Sequence, residues 1–372
     1  MKFVNTGRKL AAVAIETRTE PRAATLPPVR IVSGPAFELV AQLSAFTSGP
    51  ARASLESGKP WIREVRELAG AELIRGVERW AISLFGELAS VALEAGPPYR
   101  ADQLVRQLRA MRPAALTQRL LGAESAPMRS MLSRDAFEKA IAGNESARAE
   151  VLDAVAPDAG ARQSVERLLT TRPEFVQAEI AAIVETWSQR VFPAFSEASL
   201  RLIERDVGSK ERLFARTARI EAVRIATNGV ELAALGWADD IVVVPTVALR
   251  PFIVPVEWRS TLLIMCSVAD AAFDDDPEAP PRRLVQAAAA LGDALRLRIL
   301  HELSIGELTA SELAEALGVE RTSLHHHLGI LRSAGLVAVR AQGLQSWLYS
   351  VRPGGIDATT AALTGYLQPA ED

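Results

Sequence analysis

The sequence predicts an α+β chain: a mostly helical N-terminal domain with an antiparallel sheet, followed by a C-terminal helix-turn-helix that carries a β-wing. Three observations predict it. Apolar residues recur at helical spacing from Phe37 to Phe192, short apolar runs with strand-like alternation replace them from Thr217 to Val268, and Thr309 to Arg340 reads as two amphipathic helices followed by a strand.

Residues 1–28 show no sustained period and end in Pro27 and Pro28, so a poorly ordered tail is expected there. From Arg30 the chain reads as a short strand, a Ser33-Gly34-Pro35 break, and a helix with Phe37, Val40, Ala41 and Phe46 near one face. Helical spacing then runs through Trp61–Leu68, Ala71–Ala95, Ala101–Ala110, Arg134–Ala142, Ser146–Val155, Ser164–Thr170 and Pro173–Phe192. Thr217–Ile225 alternates like a strand, Asn228-Gly229 is a strong two-residue hairpin signal, and Val230–Trp237 is the expected return. Ile241–Pro245, Phe252–Val256 and Thr261–Val268 continue in strand style, with Pro245, Pro251 and Pro255 favouring sheet edges or bulges. An acidic, Pro-rich stretch, Asp274 to Pro281, reads as a solvated linker. The expected organisation is therefore a tail (1–28), an α+β regulatory domain (29–272), a linker (273–283) and a reading and dimerisation module (284–372).

In that last module, Thr309 and Glu312 have the spacing at which each side chain satisfies the other's free backbone amide, so a helix begins at Thr309. Leu313, Ala314 and Leu317 share one face, and Gly318 ends the helix where a left-handed residue costs least. The second helix is expected from Glu320 to Ala334. Leu324, Leu328 and Leu331 form one narrow inward stripe at roughly 100° per residue. The same angle puts Thr322, His326, Gly329 and Ser333 on the outer side, His325 and Arg332 at its flanks, and His327 back toward the stripe. A small outer face suits a helix lying in a major groove, because bulky side chains hold its backbone away from the base edges. Leu336–Ala341 alternates, Gln342 to Gln345 turn the chain, and Ser346–Val351 returns as the second strand of a wing. Arg340 and Arg352 stand near the wing's ends and Gln342 and Gln345 near its tip, placed for phosphates or the minor groove. Sequence-selective binding to double-stranded operator DNA is the leading reading. Its candidate contacts are Arg321, Thr322, Ser323, His325, His326, Arg332, Arg340, Gln342 and Gln345.

Residues from about Leu291 to Val351 resemble the winged helix of the arsenical-resistance repressor (ArsR) family of bacterial transcription regulators. LGDALRLRILHEL resembles that family's opening helix, LTASELAEALGVERTSLHHHL its helix-turn-helix, and LRSAGLV its exit into the wing. The resemblance implies a dimeric, cytoplasmic regulator, usually a repressor released by an effector, and it puts the groove-facing positions on Thr322, Ser323, His325 and His326. Two departures stand out. Metal-sensing members carry a cysteine pair in the helix before the recognition helix, and this chain has none there, so no metal is expected. Glu320 occupies the position where the family usually caps with serine, which sets a carboxylate close to the expected phosphate backbone with Arg321 beside it. The strand-rich block, with its WADDIVVVP and ALRP runs, also resembles the long N-terminal region of some actinobacterial ArsR-type regulators, which implies a sensing or dimerising domain.

The 372 residues, 49% hydrophobic and 23% charged, suffice for roughly two well-buried domains. A formal net charge of -3 argues against indiscriminate coating of nucleic acid, which depends on a large basic surface. Within residues 282–372, Arg282, Arg283, Arg296, Arg298, Arg321, Arg332, Arg340 and Arg352 are roughly balanced by nine acids, so strong binding is expected to need a homodimer on paired half-sites. The single cysteine, Cys266, lies in the apolar run TLLIMCSV, which reads as a buried thiol in a reducing compartment. No run reaches the roughly 18 apolar residues of a membrane span, so a soluble cytoplasmic protein without a membrane partner is expected.

Phosphate-binding glycine loops, nucleophile elbows and HExxH zinc motifs are missing from the sequence, and neither an enzyme nor a cofactor is expected. Trp237, Arg250, Trp258 and Arg259 are the candidate ligand residues, combining aromatic surface with cations for an unidentified, anionic small-molecule effector. Asp239-Asp240 reads either as a ligand anchor or as a solvated turn. Gly355–Leu367 puts Ile356, Thr360, Leu363 and Leu367 on one face, which supports dimerisation. The rival reading is a protein-interaction module whose winged helix docks a partner protein, favoured by the module's mild acidity and Glu320.

Overall fold

A computed structural model of the chain describes residues 26–48, 55–80, 84–155, 159–232, 235–273, 280–342 and 346–367. The first 25 residues of the expected tail, positions 274–279 of the expected linker and the wing tip at 343–345 lie outside these. The last residues of the expected tail are structured. Leu26 is buried, and the Pro28 carbonyl accepts a hydrogen bond from the Ile241 amide at 2.9 Å.

The chain opens with β1 (Val29–Ile31) and then forms a long helical series: α1 (Pro35–Thr47), α2 (Gly58–Arg79), α3 (Leu84–Ala95), α4 (Ala101–Ala110), α5 (Pro113–Leu120) and α6 (Ala126–Met131). It continues through α7 (Arg134–Ile141), α8 (Glu145–Val155), α9 (Ala159–Thr170), α10 (Pro173–Arg190), α11 (Phe192–Arg216) and α12 (Arg219–Ala226). Local chemistry starts several of them. Proline stands in the first turn of α1, α5, α10 and α11, where its missing amide costs nothing. Ser125 and Ser133 accept amides in the first turns of α6 and α7, and Asn144 does so for α8. Helix α1 is buried along almost its whole length. Trp187 of α10 meets the edge of Phe46 and donates from Nε1 to Gln42 at 3.1 Å, so one of the two fully buried tryptophans of this core carries a satisfied polar tip.

The sheet beneath these helices is mixed, in the order β1-β3-β5-β4, with β3 spanning Asp240–Thr246, β4 Val254–Trp258 and β5 Thr261–Ser267. β1, β3 and β5 run parallel and β4 pairs antiparallel to β5, which corrects the expected antiparallel sheet. The physical reason lies in its two covered faces. Val242, Val244, Leu263 and Met265 face the helical core, while Ile241, Val243, Leu262, Ile264 and Cys266 belong to a second apolar cluster on the other side. A strand buried on both faces reads as a continuous apolar run, which is what IVVV and LLIMC are. Pro245 is tolerated because β1 ends opposite Val243, leaving the proline paired only with β5. A tight hairpin joins β4 to β5 through Arg259, at φ 54°, and Ser260.

The stretch expected as a strand from Thr217 to Ile225 is instead α12, which buries Ala222, Val223 and Ala226 at helical spacing. Asn228 and Gly229 end that helix with φ of 53° and 103°, and the Gly229 amide returns to the Arg224 carbonyl at 2.7 Å. A helix C-terminus and a tight hairpin both need left-handed residues, so the same dipeptide serves either. No hairpin forms at this dipeptide. After it, β2 (Val230–Leu232) pairs in parallel with β7 (Val337–Gln342) of the wing.

The C-terminal module consists of α13 (Arg282–Leu291), α14 (Ala294–Ile305), β6 (Leu308–Thr309), α15 (Ala310–Leu317), α16 (Arg321–Ser333), β7, β8 (Ser346–Val351) and α17 (Gly355–Leu367). Both halves of the Thr309–Glu312 capping box are made, and Gly318 ends α15 in the left-handed conformation. Its sheet has the order β2-β7-β8-β6, so the N-terminal region of the chain supplies the outer strand of the wing. The sheet of the reading module is therefore built from both sides of the acidic stretch.

Three carboxyls in the N-terminal region are held protonated above their usual range. Glu38 accepts the amides of Val247 and Ala248, yet burial outweighs those bonds and pushes its pKa up to about 7. Burial pushes Glu87 up to about 8 and Glu257 up to about 7. Folded protein thus holds protons that the unfolded chain releases near pH 4.5, so stability is greatest below that pH, falls as pH rises toward 7 to 8, and levels off above it. Glu87→Gln removes one such group. Its thermal midpoint, followed by circular dichroism, is expected to exceed wild type by more at pH 8.5 than at pH 5; an equal gain at both refutes the protonated state.

Candidate nucleic-acid interface

Helix α16 is the recognition helix of the motif. Leu324, Leu328 and Leu331 are at most 1% exposed and seat it on the module's own core with Leu313 and Leu317. Glu320 stands at the N-cap and makes no side-chain bond to the helix, so its carboxylate stays free in solvent. Arg321 is exposed and Ser323 half-buried, while the side chain of Thr322 lies outside the described residues.

The histidines are chemically alike. His325 keeps an exposed surface, but desolvation and the Arg321 charge hold its pKa below the usual range. Desolvation also lowers His326 and His327, whose rings meet edge to face at 5.0 Å. All three are therefore held neutral near pH 7, and the Nδ1 atoms of His326 and His327 are buried without a hydrogen-bond partner among the described residues. His327 Nδ1 lies 4.0 Å from the Asp293 carboxylate, which itself caps α14.

One flank of α16 is already occupied. Gly329 does not face an open groove: a Cβ built there would lie 2.4 Å from the Phe252 ring. Arg332, expected at the edge of the groove face, is buried and donates to the carbonyls of Pro251 and Thr227. Asn228 donates to the last carbonyls of the same helix, those of Arg332 and Ser333, at 3.2 Å each. Arg352, expected near phosphates, donates to Asn228 instead. His325, Gly329 and Arg332 thus turn toward the segment Pro251–Phe252 and the end of α12, whereas His326 and Ser323 lie off that flank. Arg340 pairs with Glu307 on the wing. The Gln342 side chain and all of Gln345 lie outside the described residues.

Of the four expected ligand residues, Trp258 and Arg259 are brought together, whereas Arg250 and Trp237 lie apart from them. Arg250 is fully engaged, held by Glu56 at 3.0 and 3.1 Å, by Asp270 and by the Val268 carbonyl, with Phe273 under its guanidinium. It is a structural tie, not a free anion anchor. Trp258 donates to Glu124 at 2.7 Å, and both Arg119 and Arg259 stack on its ring. Trp237 belongs to the cluster on the opposite face of the sheet. Of the acidic pair, Asp240 binds Arg30 across β1 and β3, which makes it a strand-end ion pair. Phe252, Pro251, Thr227 and Asn228 are the residues that sequence reasoning missed at the reading module. Nothing in their local pattern announces a contact about a hundred positions away.

A different surface is uncovered. Ile356, Leu363, Tyr366 and Leu367 of α17 are 44–69% exposed, and Val285 of neighbouring α13 is 53% exposed.

Comparison with known proteins bears on the same module. A helix-turn-helix domain family matches residues 291–340. The HTH-type transcriptional regulator Rv2034 of Mycobacterium tuberculosis is 38% identical over 87 residues, which is 21% of this chain and 80% of that protein. The chain belongs to the ArsR-type helix-turn-helix transcriptional regulators. The regulator NmtR of the same organism is 42% identical over 62 residues, 17% of this chain and 51% of that relative. The transcriptional repressor SdpR of Bacillus subtilis is 35% identical over 54 residues, 14% of this chain and 60% of that relative. The chain therefore spans about half to four fifths of these relatives, and most of its own length lies outside the matches.

The Phe252 contact predicts a reversal of sign. Alanine is a better helix former than glycine by about 1 kcal/mol, yet Gly329→Ala is expected to destabilise the protein, by about 1–3 kcal/mol from overpacking. In a Phe252→Ala background the same change is expected to stabilise. Urea unfolding of the four proteins measures this; an additive cycle refutes the contact.

Proposed function

We propose that the chain is a cytoplasmic, homodimeric repressor whose operator binding is governed by its N-terminal region. The observation that carries this reading is the seam between Phe252 and Gly329. A helix with its side chains is about 10–12 Å across, and a major groove is about 12 Å wide, so little room remains beside a helix lying in it. A protein segment packed on the flank of α16 competes with the groove wall. Operator binding then requires the seam to open, which gives the chain a closed and an open state.

In the open state Arg321, Thr322, Ser323, His325 and His326 read base edges, and Arg332, Arg340, Gln342 and Gln345 meet phosphates. The neutral histidines suit base recognition, since the module brings little net charge. The exposed apolar face of α13 and α17 supports pairing across a two-fold axis, which sets two recognition helices on adjacent half-sites. Repression agrees with the name borne by SdpR. Residues 29–272 serve as the regulatory region and 284–372 as the reading module, joined along the seam. Glu320, free at the N-cap, favours the rival reading in which the winged helix docks a protein.

Fluorescence anisotropy on a duplex from the region upstream of the chain's own gene separates the two. Operator binding is expected to fall steeply with salt, as phosphate neutralisation demands, whereas protein docking shows no binding to the duplex. Phe252→Ala is expected to tighten binding by about tenfold or more, because losing the ring's burial removes at least about 1.4 kcal/mol from the closed state. Leu363→Glu with Leu367→Glu is expected to yield monomers and to weaken binding. Unchanged affinity in Phe252→Ala rejects the governing role of the seam.

A further inference from the structure

The seam does not close completely. It leaves a cavity of about 270 Å³, open to solvent on one side, whose apolar wall is built by Phe252 and Ile253 from the sheet side and by Leu328, Val339 and Trp347 from the reading module. Three polar side chains also line it: His325, Arg332 and Tyr349. A mostly apolar cavity with a few convergent polar groups at the meeting of two regions of a chain is the usual form of a small-molecule site.

Arg332 gives the site its chemistry. It is 6% exposed, and its guanidinium donates to the carbonyl oxygens of Pro251 and Thr227. Among the described residues no carboxylate forms an ion pair with it, in contrast to Arg250, which has two. Burial accordingly pushes its pKa down to about 10. A buried charge without a counter-ion is costly, and an anion of matching shape relieves that cost. The planar guanidinium favours a carboxylate, and the wall favours a flat apolar body.

We propose that this cavity seats a small monocarboxylate with an apolar ring, its carboxylate against Arg332 and its ring between Phe252, Leu328 and Trp347. Its wall comes from both sides of the seam, so such a ligand binds the closed state. By linkage it weakens operator binding by the same factor by which operator weakens it. That last step rests on the regulatory reading above; binding in the cavity does not.

The test uses the full-length chain, with benzoate and phenylacetate as probes and the uncharged benzamide and phenylacetamide as controls. At least one acid is expected to raise the thermal midpoint with rising concentration while its amide does not. Arg332→Met, which keeps length and removes charge, is expected to fold and to lose the response. Val339→Phe puts a ring into the space proposed for the ligand's own, leaves Arg332 in place, and is expected to lose the response too, so the proposal stays testable if the first variant fails to fold. Equal shifts from acids and amides, silence of both acids, or a response that survives in both variants overturns the site. The stabilising acid is also expected to weaken operator binding severalfold. An Arg332-dependent shift with unchanged operator affinity keeps the site and sinks the regulatory coupling, whereas a duplex that never binds sinks the DNA reading alone.

Discussion

A missing side chain on one helix governs the arrangement of this protein. Because residue 329 is glycine, the Phe252 ring comes into contact with the backbone of the recognition helix. That approach lets Arg332 reach the carbonyls of Pro251 and Thr227, and it brings Asn228 to the helix's last carbonyls. It also sets β2 alongside β7, so that the wing of the reading module is completed by a strand from the other half of the chain. Each of these contacts satisfies polar groups that burial would otherwise leave unpaired. The N-terminal region and the reading module are tied by backbone and side chain together.

The mixed sheet makes this possible from the other side. Its helix-facing side chains anchor a large core around Phe46 and Trp187, which fixes the sheet as a rigid floor. Its opposite face joins α12, β2 and Trp347 in a second cluster that reaches the wing. A movement at the seam is thus a movement of one packed surface on another, with few intermediate positions available. Cavities interrupt the packing along that seam, one beside Phe252 and Arg332 and another beside Arg250 and Asn228.

The reading helix itself is chemically spare. Its histidines are neutral near pH 7, Arg332 is turned inward, Arg340 is paired with Glu307, and Glu320 sets a negative charge at the helix start. A single module with so little free positive charge binds phosphates weakly. The uncovered apolar face on α13 and α17 bears on this in the proposed homodimer, where two modules on one duplex would double every contact.

By itself the sequence determined whatever depends on neighbours a few positions apart. Thr309 and Glu312 name a helix start, Gly318 its end, and Leu324, Leu328 and Leu331 a buried stripe, because capping and helical periodicity act within one or two turns. IVVV and LLIMC lack the polar alternation of half-exposed strands, yet the expectation of an antiparallel sheet passed over that mark of a sheet covered on both faces. Only the tertiary structure decided the rest. Asn228-Gly229 supplies left-handed residues equally well to a hairpin or to a helix end, and the packing of Ala222, Val223 and Ala226 chose the helix. Gly329 suits a DNA groove or an aromatic ring, and Arg332 suits a phosphate or a buried carbonyl. What stands against a side chain is set by residues distant in the chain, so whether the recognition helix is free or clasped was never written in the helix.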